Sequence, residues 1–117
     1  MGLIVKKIQS DYGQDFKDLY FKLDKIEYFP KNKNMSYAGF FYLSKEHADE
    51  GFERIPGVGI YDYCDCEDKT TDLYAYVYNH IKKVAAEAPA TDDYIQYGEH
   101  HPNYYPNYNI FKDAIDY

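Results

Sequence analysis

Residues 17–29 read KDLYFKLDKIEYF. In an extended chain, where side chains alternate with a period of two, Leu19, Phe21 and Leu23 fall on one face. The apolar positions then move to Ile26 and Tyr28, which have the opposite parity. One extra residue flips the inward face of a strand, so this change predicts a bulge between the two halves. An amphipathic helix is the alternative for the run; its aromatic and β-branched content favours strand.

Working outward, PKNKN at residues 30–34 is a loop, opened by proline and carrying two asparagines that accept turn conformations. MSYAGFFYL at residues 35–43 is its partner strand, with Met35, Tyr37, Phe41 and Leu43 on one side. The connection is short enough for a hairpin. Upstream, LIVKKI at residues 3–8 reads as a short strand and SDYGQD at residues 10–15 as turn chemistry. Downstream, SKEHADEGFERIPG at residues 44–57 is a polar connection with room for a helical turn before Gly51. VGIYDYCDC at residues 58–66 alternates again, setting Val58, Ile60 and Cys64 against Tyr61 and Tyr63.

The strongest helical pattern follows EDKTTD. Thr70 or Thr71 can cap the first turn, and Asp72 places a carboxylate at its positive end. Leu73, Val77, Ile81, Val84 and Ala88 recur at helical spacing, with Tyr74, Tyr78 and Ala85 widening the stripe, and Pro89 ends it. Burial of the four larger aliphatic side chains is worth roughly 1.5 to 3 kcal/mol each. The expected fold is therefore α+β: a small antiparallel β-meander of three to four strands packed against one C-terminal amphipathic helix. The expected globular domain covers residues 1–89, with its closing helix at about 71–88.

From residue 90 the composition changes to a Tyr/Asn/Pro-rich tail whose apolar residues Ile95, Ile110, Phe111 and Ile115 share no periodic face. Ordering such a segment costs roughly 1 to 2 kcal/mol of backbone entropy per residue, so it must lie on something extensive. Residues 90–117 are expected to form an extended C-terminal arm. In GEHHPNYYPNYN, residues 98–109, two prolines stiffen an extended path and the tyrosines stand ready as anchors. The expected protein-interface residues are Tyr94, Tyr97, Tyr104, Tyr105, Tyr108, Phe111 and Tyr117. On this reading, deletion of residues 98–117 leaves a folded domain.

The chain has 117 residues, one domain's worth, and carries a formal charge of -7. That balance argues against the phosphate-binding face of a nucleic-acid binder. Neither a run of about 18 apolar residues nor a basic-then-apolar leader is present, so a soluble, unsecreted product without membrane contact is expected. Tyrosine is the outlier, at 16 residues with no tryptophan. It supplies rigid contact area at interfaces, but β-strands favour it as well.

No residue pattern assigns catalysis. Cys64 and Cys66 lie on one face of a strand, yet structural zinc calls for four ligands, and no second cysteine pair exists. Two small buried thiols are the expected reading. His100 and His101 are adjacent and point in opposite directions when extended, which disfavours one shared ion. Asp62, Asp65, Glu67, Asp68 and Asp72 surround one loop but lack the ligand order of a calcium-binding hand. A solvated acidic loop, no metal, no cofactor and no enzymatic activity are expected.

LYFKLDKIEYF, a polar loop, MSYAGFFYLSKEHADEG, a third strand, and DLYAYVYNHIKKVAAEA followed by ATDDY form an order of segments. It resembles small proteins encoded among the structural genes of tailed bacteriophages, which read as strand, strand with a YxSKE-type exit, strand, and a helix ending in a lysine pair. The matching positions are Tyr42, Ser44, Lys45 and Glu46 for the exit, and Tyr78, Ile81, Lys82 and Lys83 for the helix. The resemblance spans residues 17–93 and leaves the tail outside. It implies a component of the virion, in the neck, tail or baseplate, made in the host cytoplasm. It would act without catalysis through contacts with other virion proteins or copies of itself, its arm docked on a neighbouring subunit. The competing reading is a small acidic phage-encoded inhibitor of a host protein, with the cluster from Asp62 to Asp72 standing in for nucleic-acid phosphates.

Overall fold

A computed structural model describes residues 2–10, 13–55, 58–66, 72–88, 94–96 and 107–116. The fold is α+β. Strand β1 is Leu3–Ser10, β2 Asp15–Phe29 and β3 Asn34–Tyr42; helix α1 is Lys45–Asp49; β4 is Gly59–Asp65; helix α2 is Leu73–Glu87; β5 is Ile95–Gln96 and β6 Ile115–Asp116. A 3-10 turn at Tyr108–Phe111 precedes β6.

The meander of three to four strands is part of a larger sheet of six, in the order β4-β3-β2-β1-β5 with β6 also on β1. The four long strands are antiparallel neighbours. The other two are only two residues long and join the same edge of β1, β5 in parallel at Gln9 and Ser10, β6 antiparallel at Leu3 and Ile4. Both come from the segment expected to be a separate arm.

The parity change in residues 17–29 is a bulge. Opposite β3 the register slips between Leu23 and Lys25, leaving Asp24 as the extra residue. Leu19, Phe21 and Leu23 face the core before it, while Ile26 and Tyr28 pack against the core after it. Next to the slip, the Leu23 N–H donates to Tyr78 Oη from α2 at 2.8 Å, so the helix satisfies a backbone group beside the irregularity. A second change of parity lies between β1 and β2. Val5 and Leu19 face inward as a pair, as do Ile8 and Phe16, although the pairs lie three positions apart, an odd step, in each strand. Lys6 and Asp18 fall at the switch, with Asp18 in the left-handed region at φ 55.

The inner face of the sheet meets α2 through Val77, Tyr78, Ile81 and Ala85. Asp72 is the N-cap, its carboxylate accepting from the N–H groups of Tyr74 and Ala75; Thr70 and Thr71 lie outside the described residues. The outer face is covered at one end by α1, where Ala48 joins Tyr20 and Tyr42 in a second, smaller cluster. Leu43, expected on the buried side of its strand, is 58% exposed because β3 ends at Tyr42.

The largest departure concerns the C-terminal segment. β4 and β5 are opposite edges of the sheet, yet the Gln96 side chain donates from Nε2 to the Gly59 carbonyl at 3.0 Å. The sheet therefore curls until its edges lie a side chain apart. Ile110 and Phe111 are 3% and 2% exposed, and the Phe111 ring sits 4.9 Å from Phe21 and 6.3 Å from Phe41. Residues 94–96 and 107–116 thus lie inside the domain and not beside it, which corrects the boundary placed at residue 90. Deletion of residues 98–117, expected to leave a folded domain, would remove Ile110 and Phe111 from that core.

Candidate functional site

The described polar groups divide into an inner cluster that holds the fold and an outer face that reaches solvent. The inner cluster centres on Asp62, which alternates inward from β4 opposite Tyr37 of β3. Its Oδ2 accepts from Tyr108 Oη at 2.6 Å, and its Oδ1 accepts from the Tyr63 N–H at 2.8 Å. Tyr37 Oη lies 2.6 Å from Tyr108 Oη; because the Tyr108 proton goes to Asp62, Tyr37 donates to Tyr108. Burial, followed by Tyr37 and Asp62, pushes the Tyr108 hydroxyl far above its ordinary range, so it stays protonated as a donor. His80 approaches the Tyr37 ring edge-on, and burial lowers its pKa below 6.5.

Beside this cluster, Gln96 is fully buried and bonded at both ends. Besides donating to Gly59, it accepts from the Asn107 N–H at 3.0 Å, while Asn107 Nδ2 donates to the Ile95 carbonyl. Together these bonds sew the chain after α2 to the β4 edge. The same strand has its Asp65 carbonyl capped by Tyr76 Oη at 2.7 Å. Side chains thus occupy backbone groups at Gly59, Tyr63 and Asp65, which blunts β4 as a template for another strand.

Of the seven expected interface residues, three are described. Phe111 is a core side chain and cannot serve as an outward anchor. Tyr108 is half-buried in the Asp62 cluster. Tyr94 is half-buried against the core, with Lys7 Nζ 4.7 Å from its ring centre. Tyr97, Tyr104, Tyr105 and Tyr117 lie outside the described residues, as do His100 and His101. In the acidic cluster, Asp62 is an internal clasp and Asp72 a helix cap, Asp65 is exposed, and Glu67 and Asp68 lie outside the described residues.

Cys64 and Cys66 are buried and not joined in a disulfide, and burial pushes the Cys64 thiol up to about 11. Ser44 Oγ and His47 Nδ1 are 2.8 Å apart, but Ser44 is the N-cap of α1 and accepts the His47 N–H, which makes the pair a helix start. A groove of about 390 Å³ opens beside the bulge, lined by Lys22, Leu23, Asp24, Tyr74 and Tyr78. The Asp24 carboxylate there accepts from Tyr42 Oη at 2.8 Å. Among the described residues, no three His, Cys, Asp or Glu side chains gather as a metal site.

What remains is the outer face of β2, β3 and β4 beyond α1. Two rows cross the strands there: Lys25, Ala38 and Tyr61 in one, Glu27, Ser36 and Tyr63 in the next. Tyr61 and Tyr63 are 42% and 55% exposed, their rings meeting edge-on at 6.1 Å. A hydrogen bond with Tyr61 is the main cause of the raised Tyr63 pKa. Lys25 and Glu27 are exposed, whereas Ser36 and Ala38 form a small-residue floor between the tyrosines and the charges. The alternation in residues 58–66 sets Tyr61 and Tyr63 on the face opposite Val58, Ile60 and Cys64; only the pairing of strands puts them in rows with Lys25 and Glu27. No protein-family model, curated protein or solved structure matches this chain.

Proposed function

We propose that this chain is a non-catalytic structural or assembly protein of a bacteriophage virion, acting through protein-protein contacts. The observation that carries the contact role is the pair of outward tyrosines, Tyr61 and Tyr63, on a sheet face that α1 leaves uncovered. Tyrosine loses few rotors on docking and keeps a hydroxyl for a wet rim, so such a pair is suited to an interface core. The virion setting rests on the resemblance of residues 17–93 to small phage structural proteins.

The contact surface in this reading is the tyrosine face, since Tyr108 and Phe111 are engaged within the chain itself. Surface charge gives less support to an inhibitor that mimics nucleic acid, because Asp62, a central member of its acidic cluster, has both carboxylate oxygens bonded internally. Mass spectrometry of purified particles tests the proposal. The protein is expected at a fixed copy number per particle, and a Tyr61→Ala/Tyr63→Ala variant is expected to fold but to be lost from particles. Absence of the wild-type protein from particles would refute the virion role.

A further inference from the structure

We infer that the tyrosine face of β2, β3 and β4 docks on the same face of a second copy of this chain, about a two-fold axis. The inference specifies the partner for the contact role proposed above and rests on it. The argument starts from strand register. Lys25 and Tyr61 are the two ends of one row, Glu27 and Tyr63 the ends of the next, and all four side chains stand on the outer face. A two-fold axis running across the strands, midway between the rows, exchanges the rows while keeping each strand over its own copy. Lys25 then faces Glu27 of the second copy, Glu27 faces Lys25, and each Tyr61 faces a Tyr63.

The charges are therefore self-complementary, as an isologous interface requires. Ser36 and Ala38, in the middle of both rows, are themselves buried, so contact falls to the four long side chains at the row ends, which interdigitate in sheet-on-sheet packing. The other routes to self-association are less open. The β4 edge is capped by Gln96, Asp62 and Tyr76, and the described C-terminal residues are held in their own core. In this arrangement the tyrosines supply buried area, while the lysine-glutamate pairs fix register and orientation.

The test is sedimentation of the full chain over concentrations from about 1 μM to 1 mM, the range spanned by interfaces of modest affinity. Wild type is expected to show a reversible monomer-dimer equilibrium. Lys25→Glu and Glu27→Lys place like charges opposite each other across the axis, and each is expected to weaken the dimer at least about tenfold. The double variant Lys25→Glu/Glu27→Lys restores opposite charges and is expected within about threefold of wild type, with circular dichroism reporting an unchanged fold throughout. A double variant as weak as either single variant would overturn the proposed axis. A wild-type chain that stays monomeric but still enters particles would overturn the second copy as occupant and leave the virion role standing. A dimer with the expected charge-swap rescue, absent from particles, would do the reverse.

Discussion

Gly39 on β3 has no side chain because the Phe21 ring fills that space; a Cβ built there would lie 2.3 Å from the ring. Gly39→Ala must push Phe21 off its seat against Phe41 and Phe111, and overpacking of this kind costs roughly 1 to 3 kcal/mol. A lowered urea midpoint with an unchanged slope would register it. Phe111 fills the same core from the other side. Phe111→Ala is expected to cost about 3 to 5 kcal/mol, whereas a surface anchor truncated to alanine would leave the unfolding midpoint near wild type. His80 has its neutral form favoured by burial, so its contribution is complete above the unfolded value of 6.5 and is lost as pH falls through the lower folded value. Stability measured between pH 6.5 and 5 should fall in wild type and fall less in His80→Gln. Tyr78 and Tyr108 act at the other end of the scale. Burial raises both hydroxyls above 10, so their contribution is present below pH 10 and lost as pH rises beyond it.

Among the elements, those with a repeating pattern were legible and those held by single side chains were not. The bulge in β2 could be read from Leu23 and Ile26, since a strand with one buried face records every insertion as a change of parity. Helix α2 could be read from the spacing of Val77, Ile81 and Ala85. The switch at Lys6 and Asp18 left the same offset in Val5 and Ile8, but Ile4 on the opposite face and two lysines obscure it in so short a run. β5 and β6 were illegible for a related reason. Two residues cannot display a period, and the segment is tied to β4 through Gln96, through Asn107, which reads as a turn residue, and through Tyr108, which reads as an interface anchor. Tyr61 and Tyr63 were legible as sharing the face opposite Ile60 and Cys64, but not their partners, since Lys25 and Tyr61 are brought into one row only by the β3 register. At this scale Asp62→Asn tests the clasp. It leaves Tyr108 a weaker, uncharged acceptor, and loss of a charge-assisted bond costs about 1.5 to 3 kcal/mol, which a thermal melt of the variant would show as a lowered midpoint.

Over the whole molecule, a curled sheet has an inner face that one helix covers incompletely, and the chain after α2 completes it. Its bonds run from the β1 edge, through β5, to Gly59 and Asp62 on the β4 edge, with Ile110 and Phe111 placed in the common core. A lysine-aspartate pair from α2 to β6, Lys82 with Asp116 at 3.0 Å, lies at the surface and adds about 1 kcal/mol at most. Closure therefore depends on buried groups, and it leaves Tyr61 and Tyr63 exposed on the outer face. The most direct measurement is equilibrium unfolding of a chain truncated after residue 106. Loss of a cooperative urea transition, with exposed apolar surface, is the result expected if residues 107–116 complete the core. A truncated chain that unfolds cooperatively with the midpoint of the full protein would contradict the account.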